Sequence, residues 1–387
     1  MTEIIKVVTP KQKKEFLRFP SRLYKDNPYY VPPMYADELS DMDEKKNPAF
    51  SYCEAKYFLA VRDGETVGRI GAIFSRRANE KWGKTRMRFT SVDFIDDPEV
   101  SDALFAAVEA YAREKGCEEV HGPLGFTDLD REGMLVEGFK EKSLFYTYYN
   151  APYYLDHMAR LGYEKDVDWI ELQIFWPEDE RTYSILSRLA ERAKKKHNLR
   201  VVKVKHRSEF GPYIRQAFAL TNLAYAPLYG TVELDEKQIK RYADKFVPLI
   251  DPDFACLVVN EQGELVAFGA TAPSLSAAFR KTDGKLFPFG FIPVLRALKK
   301  NDCIDFLLVA VHPELQGAGV TAIIINSVME GCRRRGIRYG ETGPQLEENA
   351  KVLEQWKMFP SRQHRRRRCF RKVLTESAEN ASSVENN

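Results

Sequence analysis

A short glycine-rich segment between two apolar runs is the part of the chain whose residues could do chemistry. Residues 307–324 read LLVAVHPELQGAGVTAII, a strand-like run, a loop and the start of a helix-like run. The first N–H groups of a helix have no partner inside it, and glycines let an anion approach them. The segment therefore predicts a phosphate-binding cradle, and a glycine turn without a ligand is the alternative. The predicted cradle consists of Gln316, Gly317, Ala318, Gly319, Val320 and Thr321.

The elements that would position this loop occur twice in the chain. Residues 56–73 (KYFLAVRDGETVGRIGAI) and 254–270 (FACLVVNEQGELVAFGA) each read as two strands joined by a polar turn that contains Gly64 or Gly263, which is typical of a β-hairpin. After each hairpin come a strand, an amphipathic helix that ends at a glycine, and another strand. The simplest interpretation is two α/β domains of one plan in tandem.

The domain boundaries follow from changes in composition. We expect a first domain at residues 1–176, a linking helix at 177–198, a second domain at 199–375 and a disordered tail at 376–387. The linking helix is charged and amphipathic, and its basic run from Arg192 to Lys196 is interpreted as a solvated face. The tail is polar and has no apolar anchor, which is typical of disorder.

The composition is that of an ordinary globular protein. The chain has 387 residues, 44% of them hydrophobic, and a formal net charge of +3, which is too small to predict a general attraction to nucleic acid or anionic membrane. No apolar run approaches the ~20 residues of a membrane span. The six cysteines form no CxxC pair and the six histidines show no metal-ligand spacing. We therefore expect a cytoplasmic protein with free thiols, no bound metal, no nucleic-acid partner and no membrane span.

The second half resembles the GNAT superfamily of N-acyltransferases. That family places Q/R-x-x-G-x-G/A between a strand and a helix, and the segment from Gln316 matches it except that Thr321 replaces the usual small residue. The chain from residue 1 to about 374, including GRIGAI and YYNAPYYLDHMARLGY, resembles bacterial tandem GNAT-like proteins. The resemblance implies a mixed α/β (α+β) class with two GNAT-like domains, each a mostly antiparallel twisted sheet flanked by helices.

The resemblance also implies a co-substrate and its contacts. Acetyl-CoA or another acyl-CoA would place its phosphates on the cradle, and its pantetheine arm would meet the backbone of Ala310 and Val311. Asn349, at the start of a later helix, matches an asparagine that contacts the cofactor. Trp356 stands where the family often has a tyrosine that protonates the departing thiolate, and an indole N–H does not serve as such an acid. Three alternatives follow: another group such as Tyr225 or Tyr229 protonates the thiolate, the thiolate leaves unaided, or the domain does not catalyse.

Attack of an amine on a thioester requires a base and a group that holds the oxyanion. Glu341, on the strand IRYGE, is the first candidate for the base, and Asp305, on IDFLLVAV, is the second. An ion pair or a solvated edge carboxylate is the alternative for each. The backbone N–H of Val311 is the candidate for the oxyanion.

The first half lacks a cradle of its own. It reads SVDFIDDPEVSDALF at that position, without glycine, and Asp93, Asp96 and Asp97 would repel phosphate. We therefore expect this domain not to bind CoA in the usual way. Its loop at residues 122–139 (GPLGFTDLDREGMLVEGF) could contact substrate or dock the two halves, and the tyrosines at 146–154 could line a pocket or a core.

Two further stretches stand out in the second half. Residues 274–302 form an apolar insertion with several prolines and glycines that could cap an acyl chain or pack on the first domain. The basic run from His364 to Arg371 is interpreted first as a solvated edge strand. An anionic substrate, the 3′-phosphate of CoA and an acidic carrier protein remain alternatives for that run.

These observations predict an N-acyltransferase that moves an acyl group, with acetyl expected first, to a small-molecule amine or an amino-acid-like acceptor. Two alternatives remain open. One is a long-chain N-acyltransferase that takes its acyl group from an acyl carrier protein, which the apolar insertion and the basic run favour. The other is an acyl-CoA-binding sensor without catalysis, which Trp356 favours.

Overall fold

The protein is described here by a computed structural model that covers residues 1–177 and 179–374. All elements given below lie within these ranges. The predicted disordered tail at 376–387 lies outside the described residues.

The first half follows the predicted order of hairpin, strand, helix and strand. Its elements are β1 (Glu3–Lys6), α1 (Pro10–Leu23), α2 (Tyr35–Asp41), β2 (Cys53–Arg62), β3 (Glu65–Ser75), α3 (Arg76–Trp82), β4 (Arg86–Phe94), α4 (Pro98–Glu114), β5 (Glu119–Gly122), β6 (Met134–Glu137), α5 (Tyr154–Arg160) and β7 (Glu164–Phe175).

The helix α6 (Glu180–His197) leads into the second half, which repeats the same order with one added helix. Its elements are β8 (Arg200–Val202), α7 (Gly211–Tyr225), α8 (Glu236–Phe246), β9 (Ala255–Val259), β10 (Leu265–Pro273), α9 (Ser276–Thr282), α10 (Phe291–Lys299), β11 (Cys303–Val311), α11 (Val320–Arg335), β12 (Tyr339–Thr342), β13 (Gln345–Leu346), α12 (Ala350–Glu354) and β14 (Ser361–Val373). The helices α9 and α10 stand where the first half has α3.

The strands of both halves form one continuous sheet. Its order is β1-β2-β3-β4-β5-β14-β7-β12-β11-β10-β9-β8, with β6 beside β14 and β13 beside β7. Among the described strands, β4 with β5 and β11 with β12 are the parallel pairs, and the other pairs are antiparallel. The predicted fold class, a mixed and mostly antiparallel sheet flanked by helices in two tandem copies, is confirmed.

The two halves exchange their last long strands. β14, from the second half, pairs with β5 of the first half, while β7, from the first half, pairs with β12 of the second half. β7 and β14 then pair with each other from Ser361↔Ile174 to Arg371↔Glu164. Each half-sheet therefore contains a strand from the other half of the sequence, which sequence patterning did not predict.

The two long central helices occupy equivalent places. α4 buries Leu104, Phe105 and Val108 against the first half-sheet. α11 buries Ile323, Ile324 and Val328 against the second. Both helices show the apolar spacing expected of one buried face.

The helices of the described ranges are all too short or too polar to cross a lipid bilayer.

Candidate active site

Two glycines turn the chain from β11 into α11. β11 ends at Val311, a 3-10 turn covers Pro313–Leu315, and α11 begins at Val320. Gly317 and Gly319 have φ of 76° and 80°, in the left-handed region that residues with a Cβ adopt at a cost. Among the described atoms, a Cβ at Gly317 would meet nothing within 4 Å, and one at Gly319 would lie 3.8 Å from the Cβ of Ala193. The turn therefore leaves the start of the helix open.

The N-terminal end of α11 has the chemical character of an anion site. Within residues 1–177 and 179–374 no side chain caps this helix, and its first turn holds no acidic residue. Nor do the N–H groups of Gly317, Val320 and Thr321 find a backbone acceptor in that part of the chain. Free N–H groups at the positive end of a helix dipole attract phosphate. The geometry fits the cradle expected at Gln316–Thr321, and its binding of a ligand stays a prediction.

Helix α6 brings positive charge towards the same end. Arg333 near the end of α11 pairs with Glu180 at the start of α6 at 2.5 Å, so the two helices run antiparallel. Ala193 touches the region of Gly319, and the exposed Lys196 follows one turn later. The basic run that the sequence suggested as a solvated face thus flanks the predicted phosphate cradle.

A gap opens between β11 and β12. The two strands pair only from Cys303↔Tyr339 to Phe306↔Thr342, whereas β11 continues to Val311. The N–H of His312 donates to the carbonyl of Val266 at 2.8 Å. In an antiparallel ladder this bond makes Ala267 and Val311 a non-hydrogen-bonded pair. The backbone groups of Val311 therefore point away from β10 and into the gap.

The backbone groups of Val309, two residues earlier, point into the gap in the same way. Side chains of the protein itself donate hydrogen bonds to the carbonyl groups of Val309 and Val311. The hydroxyl of Tyr225 donates to the carbonyl of Val309 at 2.9 Å. The side-chain amide of Gln316 donates to that of Val311 at 3.3 Å. The N–H groups of Val309 and Val311 remain as donors along the gap. This arrangement suits the carbonyl oxygens of a pantetheine arm or a thioester, as expected for Val311. Ala310, the other predicted contact, points its backbone groups towards β10 instead.

The two predicted carboxylates lie side by side. Asp305 and Glu341 are paired residues of the parallel strands β11 and β12, so their side chains share one face of the sheet. Glu341 accepts a hydrogen bond from Arg365 at 2.9 Å and one from Gln173 at 3.5 Å. Burial raises the pKa of Glu341, and the charge of Arg365 opposes this. Glu341 is thus an ion-paired carboxylate, the alternative considered for it.

Asp305 is a buried carboxylate that can act as a base once it is ionised. Only 1% of the residue is exposed, and neither carboxylate oxygen has a hydrogen-bond partner in the described chain. Burial raises the pKa of Asp305 to about 8, and the charge of Glu341 adds to the rise, while Ser274 and Arg365 oppose it. Such perturbed groups concentrate at functional sites. The structure therefore favours Asp305 over Glu341 as the catalytic candidate, the reverse of the sequence order.

Tyr146, from the first half, reaches the start of the gap. A Cβ at Gly343, just after β12, would lie 3.7 Å from the Tyr146 hydroxyl and 3.6 Å from the carbonyl oxygen of Phe306. The hydroxyl is buried and has no partner among the described residues. Burial, followed by the charge of Asp305, raises the pKa of Tyr146. A neutral phenol beside Asp305 can donate a proton. The sequence indicates Tyr146 only as one of the tyrosines at 146–154 that could line a pocket or a core.

A cavity of about 70 Å³ lies beside Tyr146, between α2, α8 and the 122–139 loop. Its wall combines apolar residues, including Phe145, with charged ones. Arg131 pairs with Glu38, and the hydroxyl of Tyr242 donates to Asp130 at 2.9 Å. Burial raises the pKa of both Glu38 and Asp130. The 122–139 loop therefore both docks the second half, through Tyr242, and lines a polar cavity next to the candidate site.

The basic run of β14 proves to be a buried ion network, so its interpretation as a solvated edge strand is wrong. β14 lies in the middle of the sheet, and Arg365 and Arg367 are 1% and 0% exposed. Both guanidiniums pair with Glu171 on β7. Burial acts to raise the pKa of Glu171, but the two arginines outweigh it and lower the value to about 2. The run supports the carboxylates of the site instead of presenting charge to a partner.

The equivalent position in the first half is closed by its own side chains. Asp97 caps α4 by accepting from the N–H of Glu99 at 2.9 Å, and Arg62 pairs with Asp97 at 2.7 Å. β4 and β5 also diverge after Arg88. The hydroxyl of Tyr148 lies 3.0 Å from that of Thr90 on the diverging part of β4. These contacts leave no open helix end like that of α11.

Asn349 and Trp356 have structural surroundings. Asn349 precedes α12 and its side chain accepts from the N–H of Val352 at 3.4 Å, as a helix cap. Trp356 is buried with its ring 5.0 Å from that of Phe306. Phe306 neighbours Asp305 in the strand, so its side chain lies on the opposite face of the sheet. The predicted contact of Asn349 with a cofactor stays a prediction.

One group of possible metal ligands lies between the halves. His121, Asp166 and Cys369 bring ligand atoms within 4.8 Å of one another. The hydroxyl of Tyr229 donates to Asp166 at 2.5 Å and lies 2.9 Å from Nδ1 of His121. Burial lowers the pKa of His121 to about 4 and raises that of the Cys369 thiol. Since a phenol already bonds these groups, we interpret them as a contact between the halves.

Comparison with known sequences gives two relatives of similar length. The chain is 28% identical over 369 residues to Protein YghO of Escherichia coli (strain K12), covering 93% of each chain. It is 27% identical over 300 residues to the bacterial ceramide synthase of Caulobacter vibrioides (strain NA1000 / CB15N), covering 76% of each. No protein-family model matches the chain.

Comparison with solved structures addresses the fold. A tandem GNAT protein from the clavulanic acid biosynthesis pathway superposes with a TM-score of 0.56 at 12% identity, covering 97% of this chain and 100% of that one. A GCN5-related N-acetyltransferase from Sphaerobacter thermophilus gives 0.50 at 13% identity, covering 96% and 95%. Likenesses at such identities speak for the fold alone. The resemblance suggested by the glycine loop is thereby confirmed at the level of architecture: this chain has the fold of the GNAT N-acetyltransferases, in two tandem copies.

Proposed function

We propose that this chain is an N-acyltransferase that transfers an acyl group from a CoA thioester to the amine of a lipid-like acceptor. The observation that carries the proposal is the meeting of complementary groups at the gap between β11 and β12. Two backbone N–H donors point into the gap, and a buried carboxylate and a buried phenol stand at its start without partners among the described residues. The open end of α11 follows directly after the strand that carries the donors.

The residues divide the reaction between them. The phosphates of CoA bind the N–H groups at Gly317–Thr321, and the pantetheine arm follows β11. Asp305, in its ionised form, takes a proton from the attacking amine through bound water as the C–N bond forms. The N–H of Val309, which lies nearer to Asp305 on β11 than that of Val311, stabilises the charge that develops on the thioester oxygen, and the N–H of Val311 binds the pantetheine arm. The C–S bond then breaks, and Tyr146 gives its proton to the departing thiolate and recovers one from Asp305.

The acceptor enters on the face that carries Asp305 and Tyr146. The cavity beside Tyr146 offers Glu38, Asp130 and Arg131 to the polar groups of an amine substrate. Phe145, on its wall, belongs to an apolar cluster with Phe279 and Leu307 that extends beneath the 274–302 insertion. The name of the Caulobacter relative denotes amide formation on a long-chain amine. Together these points support an acceptor with a polar amine end and an apolar chain.

The test measures release of CoA thiol by a chromogenic disulfide. The donors are acetyl-CoA and palmitoyl-CoA, and the acceptors are sphinganine and a short water-soluble amine. All six cysteines of the chain are free and buried, so the background is low. We expect turnover with palmitoyl-CoA and sphinganine. Binding of acyl-CoA without thiol release for any amine would instead identify a sensor.

Gly319→Glu is the matched test of the phosphate cradle. It places a carboxylate at the start of α11, and we expect acyl-CoA binding to weaken by about tenfold or more. Gly263→Glu is the control, because Gly263 has φ of 82° against 80° for Gly319 and lies in the β9–β10 turn. Both variants carry the same backbone strain. Equal loss of binding in both would contradict the cradle, as would unchanged binding in Gly319→Glu.

A further inference from the structure

The 274–302 insertion presents an apolar surface to solvent. Phe287 and Phe289 are 81% and 72% exposed, and Phe291, Ile292 and Leu295 of α10 are also exposed. These five residues lie within nine positions of the sequence. Contiguous apolar exposure of this kind marks a surface that contacts another phase or partner.

Exposed basic residues precede and follow these apolar residues along the chain. Between residues 280 and 300 six exposed side chains carry positive charge and only Asp283 carries negative charge. Asp283 pairs with Lys285 at 2.7 Å. A cationic rim around aromatic and aliphatic side chains complements a bilayer with anionic headgroups. The six basic residues are Arg280, Lys281, Lys285, Arg296, Lys299 and Lys300.

The inner side of the insertion leads to the candidate site. Val294 and Leu286 pack with Phe145 and Phe279 in one apolar cluster. Phe145 also lines the cavity beside Tyr146. The N–H of Tyr35 on α2 donates to the carbonyl of Gly284 at 3.1 Å, which fixes the insertion on the first half. Apolar side chains thus run continuously from the exposed surface to the cavity wall.

We propose that the segment Lys285–Lys300 is a docking surface for an anionic lipid bilayer, from which a lipid acceptor passes along this cluster to the cavity. The passage of a lipid acceptor rests on the proposed acyltransferase function, whereas docking on the bilayer does not. The two most exposed phenylalanines protrude on either side of Pro288 instead of lining a groove. Protruding aromatic side chains with a basic rim suit insertion among headgroups better than contact with a carrier protein.

Vesicle flotation tests the docking without any turnover. The full chain is mixed with vesicles of phosphatidylcholine alone or with 30% phosphatidylglycerol. We expect binding to the anionic vesicles that weakens as salt is raised. Phe287→Ser/Phe289→Ser should reduce this binding by about tenfold or more. Lys299→Glu/Lys300→Glu should reduce it to a similar extent, with circular dichroism unchanged in both variants.

Leu189→Ser/Leu223→Ser is the control, since these leucines are 45% and 48% exposed on α6 and α7. It should bind vesicles as the parent chain does. The proposal is overturned if the parent chain does not float, or if both serine variants lose binding equally. It is also overturned if the phenylalanine variant instead abolishes self-association or the binding of an acyl carrier protein.

Activity then separates docking from catalysis. Phe287→Ser/Phe289→Ser should lose turnover of sphinganine embedded in vesicles and keep turnover of sphinganine dispersed in dilute detergent without vesicles. Loss of both would place these residues in the catalytic machinery and refute the docking role. Vesicle binding by a chain that shows no turnover would support docking and count against the proposed reaction alone.

Discussion

Asp305→Asn should make the protein more stable as it removes the proposed base. The usual pKa of an aspartate is 3.8, whereas burial raises the pKa of Asp305 to about 8. Between these two pH values the unfolded chain carries an ionised Asp305 and the folded chain a protonated one. Folding therefore takes up a proton, and stability falls as the pH rises through this window. Asparagine has nearly the same shape and does not ionise, so the stability of Asp305→Asn does not fall with pH for this reason.

The size of the effect follows from the two pKa values. Each pH unit inside the window costs about 1.4 kcal/mol of unfolding free energy. From pH 5 to pH 8 the stability of Asp305→Asn relative to the parent chain should therefore increase by about 4 kcal/mol. Above about pH 8 the difference should stay constant, because both states of the parent chain are then ionised.

Urea unfolding at pH 5, 6, 7 and 8, followed by tryptophan fluorescence, measures this difference. Asp302→Asn is the control, because Asp302 lies just before β11, is half exposed and pairs with Arg338. Its offset from the parent chain should change little over the same range. A difference for Asp305→Asn that is the same at pH 5 and pH 8 would refute the reasoning. If Asp305→Asn becomes more stable but retains full turnover, the role of Asp305 as the base is refuted.

Three further substitutions probe the surroundings of the site. Glu171→Gln leaves two buried guanidiniums without their shared carboxylate and should destabilise the fold by about 3–5 kcal/mol. The control Glu347→Gln breaks surface ion pairs and should destabilise it by less than about 1 kcal/mol. Equal falls of the urea midpoint in the two variants would contradict this. Tyr146→Phe should lower kcat by at least about tenfold in the thiol-release assay and leave acyl-CoA affinity unchanged, and a rise in KM alone would refute a role as proton donor. Lys196→Glu should weaken acyl-CoA binding in calorimetry, and the effect should be largest at low salt. Arg181→Glu, at the far end of α6, should leave the binding unchanged. The same loss of affinity in both variants would exclude a local effect of Lys196.

Much of the architecture is predictable from local patterns. The hairpins around Gly64 and Gly263 form as expected, with φ of 81° and 82° at the two glycines. The helices before Gly116 and Gly336 end where those glycines adopt positive φ. These features depend on residues a few positions apart, so the sequence carries their signal directly.

The remainder depends on contacts that are distant in the sequence. Arg365 meets Glu171 across 194 positions, so a run of arginines resembles a solvated strand until its partner is known. The side chain of Asp305 could be identified as a carboxylate on a strand, but its lack of partners depends on how Tyr146 and the 274–302 insertion pack over it. The exchange of β7 and β14 was not predictable either, because the residues of a strand do not specify which distant strand it pairs with.

That exchange constrains how the protein is made. While the chain is being synthesised, the first half has its own β5 edge exposed, and the strand that covers this edge ends only at Val373. Exposed strand edges pair with other chains, so nascent chains that fold too early are at risk of aggregation. A fragment that stops after residue 176 would lack β14, and one that starts at 199 would lack β7. The exchanged sheet can therefore be completed only after β14 has been synthesised, and a copy expressed by itself should be soluble only if its own last strand takes the place of the exchanged one.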